Sequence, residues 1–100
     1  MIRHLVTFQL ASTDEQTRSS GAQEMKRRLE ALRGVVPGLE RLEVHFDLGR
    51  VANHWPVVLV SDFASEAALE AYQTHPRHVE VVSWMNDGVI TDRCVVDYAY

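Results

Sequence analysis

The run VVLVSDF at residues 57–63 constrains this chain more than any other stretch, because its first four residues are apolar at successive positions. A strand with one face in water alternates apolar and polar residues, whereas one that is apolar throughout needs cover on both sides. The closing run TDRCVVDYA, residues 91–99, repeats the feature in Cys94, Val95 and Val96. Whatever fold the chain adopts must shield both faces of a sheet.

Two other segments alternate. In IRHLVTFQL, Ile2, His4, Val6, Phe8 and Leu10 share one face, and Arg3, Leu5, Thr7 and Gln9 share the other. In LERLEVHFD, residues 39–47, Leu42, Val44 and Phe46 oppose Glu43, His45 and Asp47, charges that suit an edge strand. Helical spacing fills the gaps between strands. Ser12 or Thr13, each with an acid or amide three residues on, is placed to cap a helix carrying Ala22, Met25, Leu29, Leu32 and Val36, which Gly34 and then Pro37-Gly38 terminate. Ser65 caps a second helix with Leu69 and Tyr72 toward the core. Proline disfavours a helical conformation in the residue before it, so His75-Pro76 interrupts this helix, while Pro76 itself opens a new turn. Val79, Val82 and Met85 then continue the apolar stripe.

The order is β-α-β-β-α-β, an α+β, ferredoxin-like arrangement of a four-stranded antiparallel sheet with two helices on one face. Strands one and three are central in that topology, in keeping with their apolar character. One hundred residues make a single domain, 1–100, with no room for another. The helices cover one face only. The chain is too short to cover the second itself, so the expected cover is another copy, giving a homodimer in which two sheets pack as an α+β barrel. The alternative is a monomer with scattered exposed valines.

Fourteen acids against ten bases give a formal net charge of -4, and the one basic cluster, Lys26-Arg27-Arg28, has no interleaved aromatics, which argues against a nucleic-acid partner. No run approaches the ~20 apolar residues of a membrane span, and the N-terminus does not read as a signal peptide. A cytoplasmic location is expected, and the lone Cys94 fits a reducing compartment as a small buried hydrophobe. His75 and His78, with Glu80 nearby, lack an HExxH pattern or a cysteine pair, so no metal is expected, and no motif calls for a cofactor.

Three stretches, MIRHLVTFQL, EAYQTHPRHVEVV and DRCVVDYAY, together span nearly the whole chain and resemble the stress-responsive dimeric α/β barrel (Dabb) family. The resemblance implies a ferredoxin-like protomer paired sheet to sheet. It also implies kinship with plant polyketide cyclases of that family, in which a tyrosine and the second histidine of an HPxH motif form the catalytic pair. Those positions are Tyr72 and His78 here, with His4 lining the same pocket.

His78 has the chemistry of a general base near neutral pH, and Tyr72 that of a donor to a developing enolate oxygen. Phe8 and Trp84 are expected to line the pocket too, and Trp55 to close a pocket mouth. Asp97 and Tyr98 are expected at the dimer edge or barrel end. Two functions follow. One is cofactor-independent acid/base chemistry, aldol cyclase-like or lyase-like, on a small oxygenated or polyketide-like substrate in an apolar pocket. The other is a non-catalytic stress-responsive or ligand-binding protein, in which Tyr72 fills the core and His78 braces the helical break.

Overall fold

The computed structural model describes residues 1–100. Its elements follow as β1 (Ile2–Leu10), α1 (Glu15–Glu30), β2 (Leu39–Phe46), β3 (Val57–Phe63), α2 (Glu66–Thr74), α3 (Pro76–Asn86) and β4 (Ile90–Ala99). The strands form one antiparallel sheet in the order β2-β3-β1-β4, with β3 and β1 central. This is the ferredoxin-like fold, with the second helical region broken into two.

Register follows from the pattern of apolar residues. Val6 lies opposite Leu59 on β3 and Val95 on β4, while Phe8 lies opposite Val57. A slip of one residue would turn the whole apolar set of β1 to the other face. Val6, Phe8, Leu42, Val44 and Leu59 form the sheet side of the core, and Met25, Leu29, Tyr72 and Met85 the helix side. The opposite face carries Leu5, Val58, Val60, Cys94 and Val96, with a charged end where Arg3 makes two hydrogen bonds to the Asp62 carboxylate, of 2.7 and 3.0 Å. No helix of this chain covers it. In the single chain Val96 is 56% exposed there, and Cys94, expected as a small buried hydrophobe, is exposed on the same face.

Helix α1 departs from expectation at both ends. Its cap is Asp14, whose carboxylate accepts from the Thr17 backbone N–H at 2.9 Å, while the Ser12 hydroxyl accepts from the Asp14 N–H. A carboxylate is the stronger partner for the positive end of a helix dipole. The helix closes at Glu30, earlier than the apolar stripe implies. Leu32 and Val36 stay buried through tight turns, with Leu32 N–H bonded to the Leu29 carbonyl at 3.0 Å and Val35 N–H to the Leu32 carbonyl at 3.1 Å. Apolar spacing marks which residues face inward, and such turns preserve it without helix. At Gly38, φ is +82° and an added Cβ would lie 2.6 Å from the Ala68 Cβ, so only glycine lets β2 begin this close to α2.

Helix α3 follows the extrapolated stripe in part, with Met85 buried and Val82 packed against the core. Val79, however, is 50% exposed, and Val81 is buried in its stead. A helix restarted by proline takes a new rotation, so spacing counted from Leu69 and Tyr72 misplaces its first turn.

Candidate functional site

Tyr72 and His78 are six residues apart. On an unbroken helix they would lie about 9 Å apart along the axis and point about 120° away from each other. The break brings them together. His75 is held extended at φ −62°, ψ 133°, and its Nδ1 accepts from the Arg77 backbone N–H at 3.1 Å, so it caps α3 while Pro76 takes the first helical position. The Tyr72 and His78 rings thereby stack with centroids 4.1 Å apart and planes tilted by 39°. His75 itself serves the turn, as expected.

Tyr72 is fully buried, with its ring 4.9 Å from that of Phe63. Its hydroxyl is buried and has no hydrogen-bond partner in the protein. Leaving such a group unsatisfied costs about 1–3 kcal/mol, and buried hydroxyls without a partner are rare. Burial also pushes the phenol well above its ordinary pKa, so Tyr72 is a neutral donor at any physiological pH.

His78 is half-buried. Its Nδ1 lies 3.3 Å from the Gln73 carbonyl oxygen, which only accepts, so the proton sits on Nδ1 and the neutral ring keeps its lone pair on Nε2. Burial lowers its pKa below the usual imidazole value, opposed by this hydrogen bond and aided by the nearby His4 and Arg93. The ring is thus a free base at neutral pH.

His4 enters from β1. The register places it opposite Asp97 on β4, and its Nδ1 donates to the Asp97 carboxylate at 2.5 Å. The ring meets Tyr72 edge-on, 6.3 Å between centroids. A carboxylate behind an imidazole fixes its orientation. Asp97 therefore serves the interior as a partner of His4, a role that its reading as an edge residue missed; the signal lay in the pairing of β1 with β4 and not in Asp97's own neighbours in sequence.

These groups share a cavity of about 210 Å³ between the sheet and the helices. His4, Val6, Phe8 and Leu59 floor it from the sheet, Leu29 and Met85 wall it from α1 and α3, and Tyr72, Gln73, His78, Val82, Arg93 and Val95 complete it. Tyr72, His78, His4 and Phe8 are all brought together as expected. Trp84 is not. It lies in a broad groove elsewhere on α3, with the Arg28 guanidinium 4.2 Å above its ring. Trp55 sits half-buried before β3 and does not reach the cavity. Arg93, absent from the sequence reading, lines the cavity from the helix-facing side of β4.

An apolar cavity of about 150 Å³ is large enough for benzene, and drug-sized pockets begin near 300 Å³. This space suits a single ring or a short chain. With a buried neutral donor beside an unprotonated imidazole, the arrangement has the parts for moving a proton to and from a carbon next to a carbonyl.

The model of the stress responsive A/B barrel domain, Dabb, matches residues 2–100. Among solved structures, a dimeric protein of unknown function with a ferredoxin-like fold from Bacteroides fragilis is 24% identical with a TM-score of 0.89, over 99% of this chain and 95% of that one. A dimeric ferredoxin-like protein of unknown function from Thermobifida fusca is 26% identical with a TM-score of 0.83, over 99% of this chain and 90% of that one. A hydroxynitrile lyase from Passiflora edulis is 19% identical with a TM-score of 0.78, over 97% of this chain and 90% of that one, a likeness of fold. Comparison with curated proteins finds no match. No helix is long and apolar enough to cross a membrane. With the family model matching from Ile2 to Tyr100 and the fold as that family requires, the chain belongs to the stress responsive A/B barrel (Dabb) domain family.

Proposed function

We propose that the cavity catalyses proton transfer on a small carbonyl compound without a cofactor, in the manner of an aldol cyclase or a lyase. His78 Nε2 takes the proton from the carbon next to the carbonyl, the C–H electron pair moves into the enolate, and the Tyr72 hydroxyl donates to the oxygen where charge develops. Return of the proton from His78 completes the cycle. His4, oriented by Asp97, holds the edge of the Tyr72 ring. The observation that carries this reading is the buried Tyr72 hydroxyl without a protein partner, on a ring that stacks on the His78 imidazole and lines a cavity of about 210 Å³.

Pairing belongs to the same proposal. The apolar face bearing Leu5, Val58, Val60 and Val96 is of the kind that monomers seldom leave in water, and the two neighbours from Bacteroides fragilis and Thermobifida fusca are dimeric. A stable contact of this type buries about 800 Å² on each partner.

Incubation in D₂O with single-ring ketones and keto acids, followed by NMR, measures exchange at the carbon next to the carbonyl. The wild-type protein should accelerate incorporation of deuterium, and His78→Ala and Tyr72→Phe should each reduce the rate about 100-fold or more while remaining folded. Exchange that survives both substitutions, or wild-type exchange at the background rate, removes the catalytic reading; the latter leaves a protein that binds a ligand without turning it over.

A further inference from the structure

Arg93 is the one permanently charged side chain lining the Tyr72 and His78 cavity. It projects from β4 on the same face as Val95 and Asp97, opposite Phe8. Its guanidinium donates to the side-chain oxygen of Asn86, a neutral amide, and forms no ion pair with any carboxylate of the chain. The nearest acid in sequence, Asp92, accepts from the Arg93 backbone N–H, and Asp97 on the same face is taken by His4. Arg18, Arg50 and Arg77 also lack a carboxylate partner, and Arg93 differs from them in lining this largely apolar cavity.

The surroundings give the cavity a direction. Beyond Gln73, which lines both spaces, an adjoining groove between α2 and β4 is edged by Glu66, Glu70 and Asp97. The cavity therefore carries a cation on its β4 wall, while the neighbouring groove beyond Gln73 is acidic. A guanidinium presents a planar fork of donors that matches a carboxylate, and the pair gains strength beside apolar walls.

We propose that the cavity selects a small carboxylate-bearing ligand, an oxo acid in the catalytic reading, with its carboxylate on Arg93 and its apolar body against Phe8, Leu29 and Met85. The acidic groove repels the same carboxylate, so the ligand enters in one orientation with its carbonyl toward Tyr72 and His78. The inference rests on the reading of the cavity as a ligand site. It names the chemistry that fits there.

Benzoate and its neutral isostere benzamide test it, with binding followed by chemical-shift titration of the ¹⁵N-labelled protein and thermal denaturation confirming the fold of each variant. The wild-type protein should bind benzoate at least 10-fold more tightly than benzamide. Arg93→Gln should weaken benzoate about 10- to 100-fold and leave benzamide within twofold. Asn86→Asp keeps the arginine but supplies it with an internal carboxylate, and should weaken benzoate selectively as well. Equal binding of the two probes by the wild-type protein, or benzoate binding unchanged in Arg93→Gln, overturns the role of Arg93 while the cavity stands as a ligand site. Failure of the wild-type protein to bind either probe overturns the cavity reading and this inference with it.

Discussion

At the scale of single residues, Tyr72 and His78 place opposite demands on their surroundings. A buried phenol without a partner is a cost to the fold, so Tyr72→Phe should leave the protein at least as stable, gaining up to about 1 kcal/mol in denaturant unfolding, even as it removes activity. A substitution that stabilises and inactivates marks a group retained for function. For His78, burial lowers the folded pKa below the unfolded value of about 6.5. As pH falls through that value the unfolded chain takes up the proton first, so this residue's contribution to stability declines between 6.5 and the lower folded pKa. Activity should accordingly persist below pH 6.5, with the acid limb of kcat/KM set by a pKa under that of a free imidazole; a limb above 6.5 contradicts the assignment of His78 as the base. Asp97 shows the limit of reading residues by their neighbours in sequence. Its importance comes from standing opposite His4 across a strand pair, a relation between positions 93 residues apart.

Among the elements, the broken helix is the one that makes the site. Strands and helices were legible because their periodicities of two and of three to four are set by which side chains must leave water. The break at His75-Pro76 was legible as well, since proline restricts the residue before it. The placement of α3 side chains was legible only in part, because the rotation after a break depends on how the new helix packs: Met85 and Val82 face inward as expected, but Val81 takes the place of Val79 in the core and Trp84 lies beside Arg28 in place of the cavity. Replacing Pro76 with alanine frees His75 to become helical and lets α2 and α3 run together, which would separate the stacked rings. Pro76→Ala should therefore reduce the exchange rate about 10-fold or more while shifting the melting temperature by only a few degrees, as thermal denaturation and the D₂O assay would show. An unchanged rate would mean that the rings meet without help from the proline.

For the molecule as a whole, the consecutive apolar residues of β3 and β4 foretold a sheet with cover needed on both faces, and one face is left bare by the chain's own helices. Sedimentation should give twice the 11.4 kDa chain mass, and Val96→Glu, which sets a charge on the β4 side of that face, should give the monomer. A wild-type protein that sediments as a single folded chain contradicts the pairing. The size and charge of the cavity were not legible, since both depend on how far the helices stand from β4 and on Arg93 finding an amide in place of an acid. The shared cavity of Tyr72 and His78 is nonetheless what the functional reading depends on. Long-range ¹H–¹⁵N spectra of the five histidines, recorded at pH 7 with and without benzoate, test it in one experiment. His78 should be neutral, carry its proton on Nδ1 and shift on addition of the ligand; a charged His78, or one whose ring signals ignore the ligand, would contradict its place as the base of this cavity.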